Sequence, residues 1–307
     1  MKLNVLEVKG NALDDGPGIR SVIFVKGCPL SCVWCHNPES KNINPEIAWD
    51  ARECIQCNDC IETCQQNALS HNHPFFINRQ RCNKCFDCIQ VCPTGAISCV
   101  GKNMEIEDIV DEIEKDLPFF ETSGGGVTIS GGEPTLYPDS ISELMQRLRS
   151  KKIHTLLETC GYFQWDGFRE KIFPHVDTIY FDIKLIDSEA HKKYCGKDNT
   201  LILKNFTKLV HAIQQTDTEL LPRVPLIPNI TATTKNLTAI AEFLNKNNIR
   251  QMQLMAYNPL WIEKNIKMGI VNSYATKKEM NQWMQTSDIK RCKEIFRENA
   301  NLVNLIC

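Results

Sequence analysis

The chain is predicted to fold as α/β: a partial (β/α)6 barrel carrying a small inserted domain. Two observations predict this. Through the C-terminal two-thirds of the 307 residues, short apolar runs alternate with helical periodicities. That alternation is the pattern of right-handed β-α-β units and a parallel sheet. In addition, eleven of the sixteen cysteines fall between Cys28 and Cys92, in a stretch that interrupts the alternation. Residues 1–42 and 101–307 are therefore assigned to the barrel, and 43–100 to the insert. A doubly wound open sheet would show the same alternation. In either fold, ligands bind at the carboxyl ends of the strands.

The elements follow in order. Arg20 to Lys26 is short, apolar and partly β-branched, and reads as a buried strand running into Cys28. From Ile43 to Val100 the chain is rich in Cys, Asn and Gln with balanced charge, as in a domain whose core is something other than side chains. Strands are then predicted at Gly126–Ser130, Ile153–Leu157, Thr178–Ile183, Glu219–Val224 and Gln251–Ala256. Counting the first, these make six. Helices are predicted at Ser140–Lys151, Trp165–Phe173 (ending before Pro174), Leu203–Ile213, Leu237–Leu244 and Lys277–Ala300. The Gly124-Gly125-Gly126 run lacks the Lys-Ser/Thr pair of a phosphate loop and is expected to free the backbone entering the second strand.

A net charge of −2 argues against a nucleic-acid partner. No segment approaches the roughly 18 apolar residues of a membrane span, and Met1 to Gly10 has charges at Lys2, Glu7 and Lys9 rather than a signal-peptide pattern. A cytoplasmic location is expected, where thiols stay reduced and clustered cysteines bind metal. A disulfide scaffold would suit a short chain without a core, which this is not.

Cys54-x2-Cys57-x2-Cys60-x3-Cys64 is followed by Cys82-x2-Cys85-x2-Cys88-x3-Cys92-Pro93. This is the spacing of a two-cluster bacterial ferredoxin, in which the fourth cysteine of each run ligates the other cluster. One [4Fe-4S] cluster is then expected on Cys54, Cys57, Cys60 and Cys92, and the other on Cys82, Cys85, Cys88 and Cys64. Gln65 departs from the proline usual after the first run. Paired CxxC motifs also hold zinc, which is the competing reading.

Cys28-x3-Cys32-x2-Cys35 is a different object. Three thiolates on one loop can hold three irons of a cluster and leave the fourth open, which makes it a reaction site. A zinc site completed by His36 is the alternative. The motif resembles the hallmark of the radical S-adenosylmethionine enzymes. Together with Asp15-Gly16-Pro17-Gly18-Ile19-Arg20, the run from Gly27 to Glu39, and Ser130-Gly131-Gly132-Glu133-Pro134, it resembles the glycyl-radical-enzyme activating enzymes. The subgroup with a ferredoxin-like insert just after the radical motif matches the layout, and the similarity reaches to about Asn258.

The resemblance implies cofactor contacts from Trp34, Cys35 and His36, and from Gly132 and Glu133, whose carboxylate suits an ammonium group. It implies further contacts at Glu158, at Asp182, Ile183 and Lys184, and at Arg223, for which a cofactor carboxylate or the partner's glycine loop is the expected anion. Taken without the resemblance, Asp182 and Lys184 read as an ordinary strand-end salt bridge, and Arg223 as a solvated arginine. Some members hold a monovalent cation near the acids on these strands, and Glu158 stands where one of them has an Asp. Asn258 stands where the family usually has a His, so it can hydrogen-bond but cannot be protonated. Cys99, Cys160, Cys195, Cys292 and Cys307 show no ligand spacing and read as bystanders, with Cys160 notable for following Glu158-Thr159.

What the resemblance implies is an oxidoreductase with three [4Fe-4S] clusters and S-adenosyl-L-methionine. Reductive cleavage of the latter gives a 5′-deoxyadenosyl radical, which abstracts hydrogen from a backbone glycine of a partner glycyl radical enzyme. A flavodoxin or ferredoxin reductant, a monomeric chain and anaerobic chemistry belong to the same expectation. The insert clusters either relay electrons or dock the reductant or partner. The competing functions are a radical enzyme acting on a small molecule or another protein residue, an iron–sulfur electron carrier, and a zinc protein.

Overall fold

The computed structural model describes residues 1–306. A nine-stranded sheet organises it, in the order β11-β10-β9-β8-β7-β6-β2-β1-β5. The predicted six are β2 (Arg20–Val25), β6 (Gly126–Gly131), β7 (His154–Thr159), β8 (Thr178–Asp182), β9 (Glu219–Leu226) and β10 (Gln251–Ala256). They are adjacent in that order and all parallel. Three strands escape the sequence pattern. β1 (Lys2–Ala12) and β5 (Lys102–Glu105) add antiparallel at one side. β11 (Asn304–Ile306) adds parallel at the other. These are polar or short segments, without the apolar run that marks a doubly covered strand.

Between β2 and β6 the chain leaves the sheet. β3 (Glu46–Trp49) and β4 (Ile97–Val100) pair antiparallel in a sheet of their own. Between them stand two short helices, α1 (Asp59–Thr63) and α2 (Asp87–Gln90). Ile47, Cys60, Leu69, Phe76, Ile77, Cys88 and Ile97 form a buried cluster separate from the main core. Cysteines stand in it where a larger unit would have aliphatic side chains.

Helices α3 (Ile106–Glu114) and α4 (Leu117–Ser123) lead back to β6. The crossovers then follow: α5 (Pro138–Ser150), α6 (Trp165–Gly167), α7 (Ser188–Cys195), α8 (Thr200–Ile213), α9 (Thr234–Lys246), α10 (Trp261–Lys267) and α11 (Thr286–Asn299). The helix predicted over 165–173 is one α turn followed by a π turn (Phe168–Ile172) and a 3-10 turn around Pro174. The helix predicted from Lys277 begins only at Thr286, because Asn281 Nδ2 donates to the Ala275 and Lys277 carbonyls and holds a turn there instead. No helix among the described residues is long and apolar enough to cross a membrane.

Side-chain alternation divides the sheet into two unlike faces. One carries Ile23, Val25, Val127, Ile129, Leu157, Ile179, Phe181 and Val224, which join Ile141, Leu144, Leu237 and Ile240 of the helices in the main core. The other carries Arg20, Thr128, Ser130, Glu158, Asp182 and Arg223, cross-linked strand to strand by hydrogen bonds. A polar face that is nonetheless buried has to satisfy its own charges. Arg20 and Thr128 do so toward the amino ends of the strands, and Ser130, Glu158, Asp182 and Arg223 toward the carboxyl ends.

A candidate radical centre at the carboxyl ends of the strands

Cys28, Cys32 and Cys35 lie on the loop that leaves β2. The loop is held from three sides. Gly27 and Cys28 N–H donate to the carbonyls of Ser40 and Lys41; Ser31 and Val33 N–H donate to the carbonyls of Cys195 and Tyr194, at the end of α7. Lys41 Nζ donates to the Cys32 carbonyl at 3.1 Å. Trp34, 4% exposed, anchors the loop in the core, whereas His36 is exposed, with its ring centroid 6.2 Å from that of Tyr257. On the β6 side, Gly132 and Glu133 N–H donate to the Val25 and Gly27 carbonyls at 2.8 and 2.7 Å. A Cβ on Gly132 would overlap the Gly27 carbonyl, so this close approach requires glycine.

Two cysteines without ligand spacing touch this loop. Cys195 lies beside Cys32 and draws its thiol down to about 7 against the effect of burial, with Lys184 and Lys41 adding to the pull. Cys160 lies beside Cys28, whose proximity together with burial pushes the Cys160 thiol up. Burial, and then Cys32 and Cys28, push Cys35 up to about 12, which places the three thiols close together. Neither Cys160 nor Cys195 is the bystander that spacing suggests. For Cys160 the strand-end position was the legible signal. For Cys195 there was none, since it arrives from α7. Cys99 is exposed and its Sγ lies 3.3 Å from the Gly101 carbonyl, Cys292 is buried, and Cys307 lies outside the described residues.

The charged residues assigned to the cofactor are engaged with one another. Arg223 donates to Asp182 through Nε and Nη2 at 3.1 and 3.0 Å, and to Glu158 through Nη1. Lys184 Nζ reaches Asp182 at 3.0 Å, and Ser130 Oγ donates to Glu158 at 2.6 Å. Burial opposes the charged form of Asp182, yet Lys184 and Arg223 outweigh it and hold the carboxyl below its ordinary value. Burial likewise opposes Lys184 and Arg223, and the acids hold both well above theirs. The anions beside Arg223 in this structure are Asp182 and Glu158, and its guanidinium stands between these two acids. The strand-end salt bridge, the plainer reading of Asp182 and Lys184, is what the structure contains.

Glu133 has a structural part as well. Its carboxylate, fully buried, accepts from Thr135 N–H and Oγ1 and Thr159 Oγ1 at Oε1, and from Cys160 N–H at Oε2, at 2.6–3.2 Å. It fastens the β6 end to the β7 end, and Oε2 keeps acceptor capacity. Ile183 is buried, its N–H on the Arg223 carbonyl. Asn258 accepts from Leu260 N–H at 3.3 Å, a local turn opening α10 rather than a contact with the cysteine loop. The sequence reading missed Arg20, which is fully buried and donates to Thr128 and the Val127 carbonyl, and Asp15, whose carbonyl accepts from Thr128. A charge opening an apolar run was the signal for Arg20.

In the 43–100 segment the two cysteine runs repeat in backbone detail. Gln56 and Asn58 have φ of 57° and 70°, and Lys84 and Phe86, each 28 positions on, have 59° and 67°. Left-handed non-glycine residues are costly and mark functional loops. Burial and then Cys92, Cys57 and Cys54 push Cys60 up to about 11. Burial and then Cys82, Cys85, Cys60 and Cys64 push Cys88 up to about 12. Each run therefore meets the last cysteine of the other. Cys54, Cys57, Cys60 and Cys92 line one cavity, with Trp49, His71 and Phe76. The eleven cysteines of the three spaced groups are free of disulfides, and no group of three His, Cys, Asp or Glu among the described residues is placed to hold a single metal ion. Four soft thiols around one cavity suit a cubane.

Comparison with known proteins completes the picture. The radical SAM superfamily profile matches residues 80–232, a 4Fe-4S dicluster domain 53–96, and a 4Fe-4S single cluster domain 14–73. The chain is 40% identical to the trans-4-hydroxy-L-proline dehydratase activating enzyme of Clostridioides difficile, over 83% of this chain and 84% of that one. It is 32% identical to the choline trimethylamine-lyase activating enzyme of Oleidesulfovibrio alaskensis, over 99% and 98%. The chain belongs to the glycyl radical enzyme activating enzymes. As such it uses radical S-adenosylmethionine chemistry to generate a glycyl radical on a partner enzyme, with iron–sulfur clusters and S-adenosylmethionine as cofactors. A (2S)-3-sulfopropanediol dehydratase activating enzyme of Klebsiella oxytoca is 38% identical to this activating enzyme, over 87% and 85%. A radical SAM methyltransferase structure from Sphaerobacter thermophilus aligns over 98% of the activating enzyme and 76% of its own chain, with TM-score 0.53 at 10% identity. That likeness extends to the fold alone.

Proposed function

We propose that this activating enzyme carries three [4Fe-4S] clusters: one on Cys28, Cys32 and Cys35, one on Cys54, Cys57, Cys60 and Cys92, and one on Cys82, Cys85, Cys88 and Cys64. The division into a barrel of residues 1–42 and 101–307 with a two-cluster insert at 43–100 belongs to the same proposal. The observation that carries it is the three-thiol loop held against the ends of β6 to β9, without a fourth protein thiolate of matching spacing. When bound there, the open cluster supplies the electron that cleaves S-adenosylmethionine to methionine and the 5′-deoxyadenosyl radical.

The chain's own residues do the positioning. The Ser40, Lys41, Tyr194 and Cys195 carbonyls set the loop. Gly132 permits close approach of β6 to it. Glu158, Asp182, Lys184 and Arg223 present a preorganised set of two negative and two positive charges, into which a zwitterionic methionine moiety can exchange. Trp34, His36, Ile183 and Asn258 are assigned to the surroundings of that moiety or of the partner loop. Asp182 and Glu158 take a monovalent cation only if Arg223 swings aside.

The relatives are named for dehydratases, sulfite-lyases, decarboxylases and a trimethylamine-lyase. What such partners share is the glycine to be activated, and that hydrogen is proposed as the reaction's target. A cytoplasmic monomer reduced by flavodoxin or ferredoxin is the setting proposed, supported by the many unpaired thiols. The test is anaerobic reconstitution with a candidate glycyl radical enzyme. Formation of 5′-deoxyadenosine and a glycine-centred radical signal is expected, and Cys32→Ala is expected to abolish both. 5′-Deoxyadenosine without a glycine radical on any candidate would favour a different substrate.

A further inference from the structure

Among the described residues, two buried side-chain N–H donors have no hydrogen-bond partner: Trp49 Nε1 and Arg79 Nε. The other such atoms, on Glu39, Asn205 and Asn265, are acceptors. A buried donor left without an acceptor is costly, so native chains rarely keep one without a reason. Arg79 lies against Gly269, and its Nη2 already donates to the Ile47 carbonyl at 2.8 Å. Trp49 is placed differently. It lines the cavity shared by Cys54, Cys57, Cys60 and Cys92. One face of its indole is stacked on Phe76, with centroids 4.7 Å apart and planes 18° from parallel. Stacking leaves the ring edge, where the N–H lies, to find its acceptor in the ring plane. The backbone is fixed as well, since β3 pairs Trp49 with Ile97 and Asp50 N–H donates to the Ala96 carbonyl at 2.8 Å.

From this geometry we infer that Trp49 Nε1–H donates to the cluster held by Cys54, Cys57, Cys60 and Cys92, on a thiolate or sulfide sulfur, and raises its reduction potential above that of a cluster without such a donor. The inference rests on the two-cluster reading of the insert. Its physical basis is general: a hydrogen bond to a cluster sulfur stabilises the more negative, reduced state. Trp49 is thus a tuning residue for the cluster it borders.

The test uses the full chain, reconstituted anaerobically, and the reduced-cluster signals that added S-adenosylmethionine leaves unchanged. Trp49→Phe keeps the stacking and removes the N–H. One of the two signals is expected at lower potential, by about tenfold in its one-electron equilibrium, or about 59 mV. Because the variant could lose the cluster, the unmutated chain is also grown with indole-15N tryptophan. One signal is expected to show nitrogen coupling and a coupled proton that exchanges in deuterated water. Two such signals with no nitrogen coupling, or an unchanged potential in Trp49→Phe, would overturn the inference alone. About four irons per chain would instead remove the insert clusters, and with them both readings.

Discussion

Arg223 shows how one side chain can carry a site. It is 10% exposed at the side chain and bonded to Glu158 and Asp182, which are 13% and 20% exposed. Its charge stands opposite Asp182 in the β8–β9 register, so neighbouring strands deliver the pair without any loop. Removing one partner of a buried ion pair leaves an uncompensated charge and costs about 3–5 kcal/mol. Arg223→Leu is therefore expected to lower unfolding stability by about that amount, since Glu158 loses its cation while Asp182 keeps only Lys184. Anaerobic denaturant titration of the variant checks it; a loss under about 1 kcal/mol would mean that the acids find other donors. Glu133 makes the same point through hydrogen bonds. A carboxylate that looked suited to a ligand is used to join two strand ends.

At the scale of elements, α7 links capping to chemistry. Asp187 caps it, with Oδ1 accepting from Ala190 N–H at 2.8 Å, and Gly196 in the left-handed region closes its other end. Its last residues, Tyr194 and Cys195, offer the carbonyls that hold the cysteine loop. Loss of an N-cap typically costs about 1 kcal/mol. Asp187→Ala is expected to lower stability by that much, and to loosen the Cys28–Cys35 loop so that iron at that site is chelated faster. A chelation time course against the parent chain measures this, and equal rates would separate the helix from the loop. The glycine run before β6 has a simpler account: a Cβ on Gly125 would overlap the Ile19 carbonyl, as expected of a backbone freed for strand entry.

Across the whole molecule, the insert and the barrel meet at α10. Arg52 pairs with Glu263, Lys267 with Asp50, and Lys264 with Glu39 of the segment following the cysteine loop. These pairs are largely exposed on the basic side, and such pairs contribute about 0–1 kcal/mol each. They orient more than they stabilise. The insert has its own buried cluster, so its metal content is expected to change independently of the barrel. Reconstituted chain should hold about twelve irons, three cubanes. Cys57→Ala should reduce this to about eight while 5′-deoxyadenosine formation persists. Iron and sulfide analysis with a turnover assay checks both, and loss of every cluster signal would contradict the independence.

By itself, the sequence determined the six strands of the parallel sheet and all three cysteine groups. These are local matters: an apolar run of strand length, a periodicity of 3.6, and ligands spaced two or three residues apart on one loop. The order of the strands, for which a doubly wound sheet was the alternative, was decided by the fold. Tertiary structure alone decided what the isolated charges do. The Asp182–Lys184 pair was legible two residues apart, but Arg223 and Glu158 come from other strands, and a charge far along the chain leaves no local trace of its counterion. The same holds for Cys160 and Cys195, which approach Cys28 and Cys32 from β7 and α7, and for Trp49, whose role depends on which cavity its strand borders. Ligand spacing is written within one turn of chain, whereas Arg223 finds its acids 41 and 65 residues away and the two thiol contacts join segments more than a hundred residues apart. Only packing brings those together.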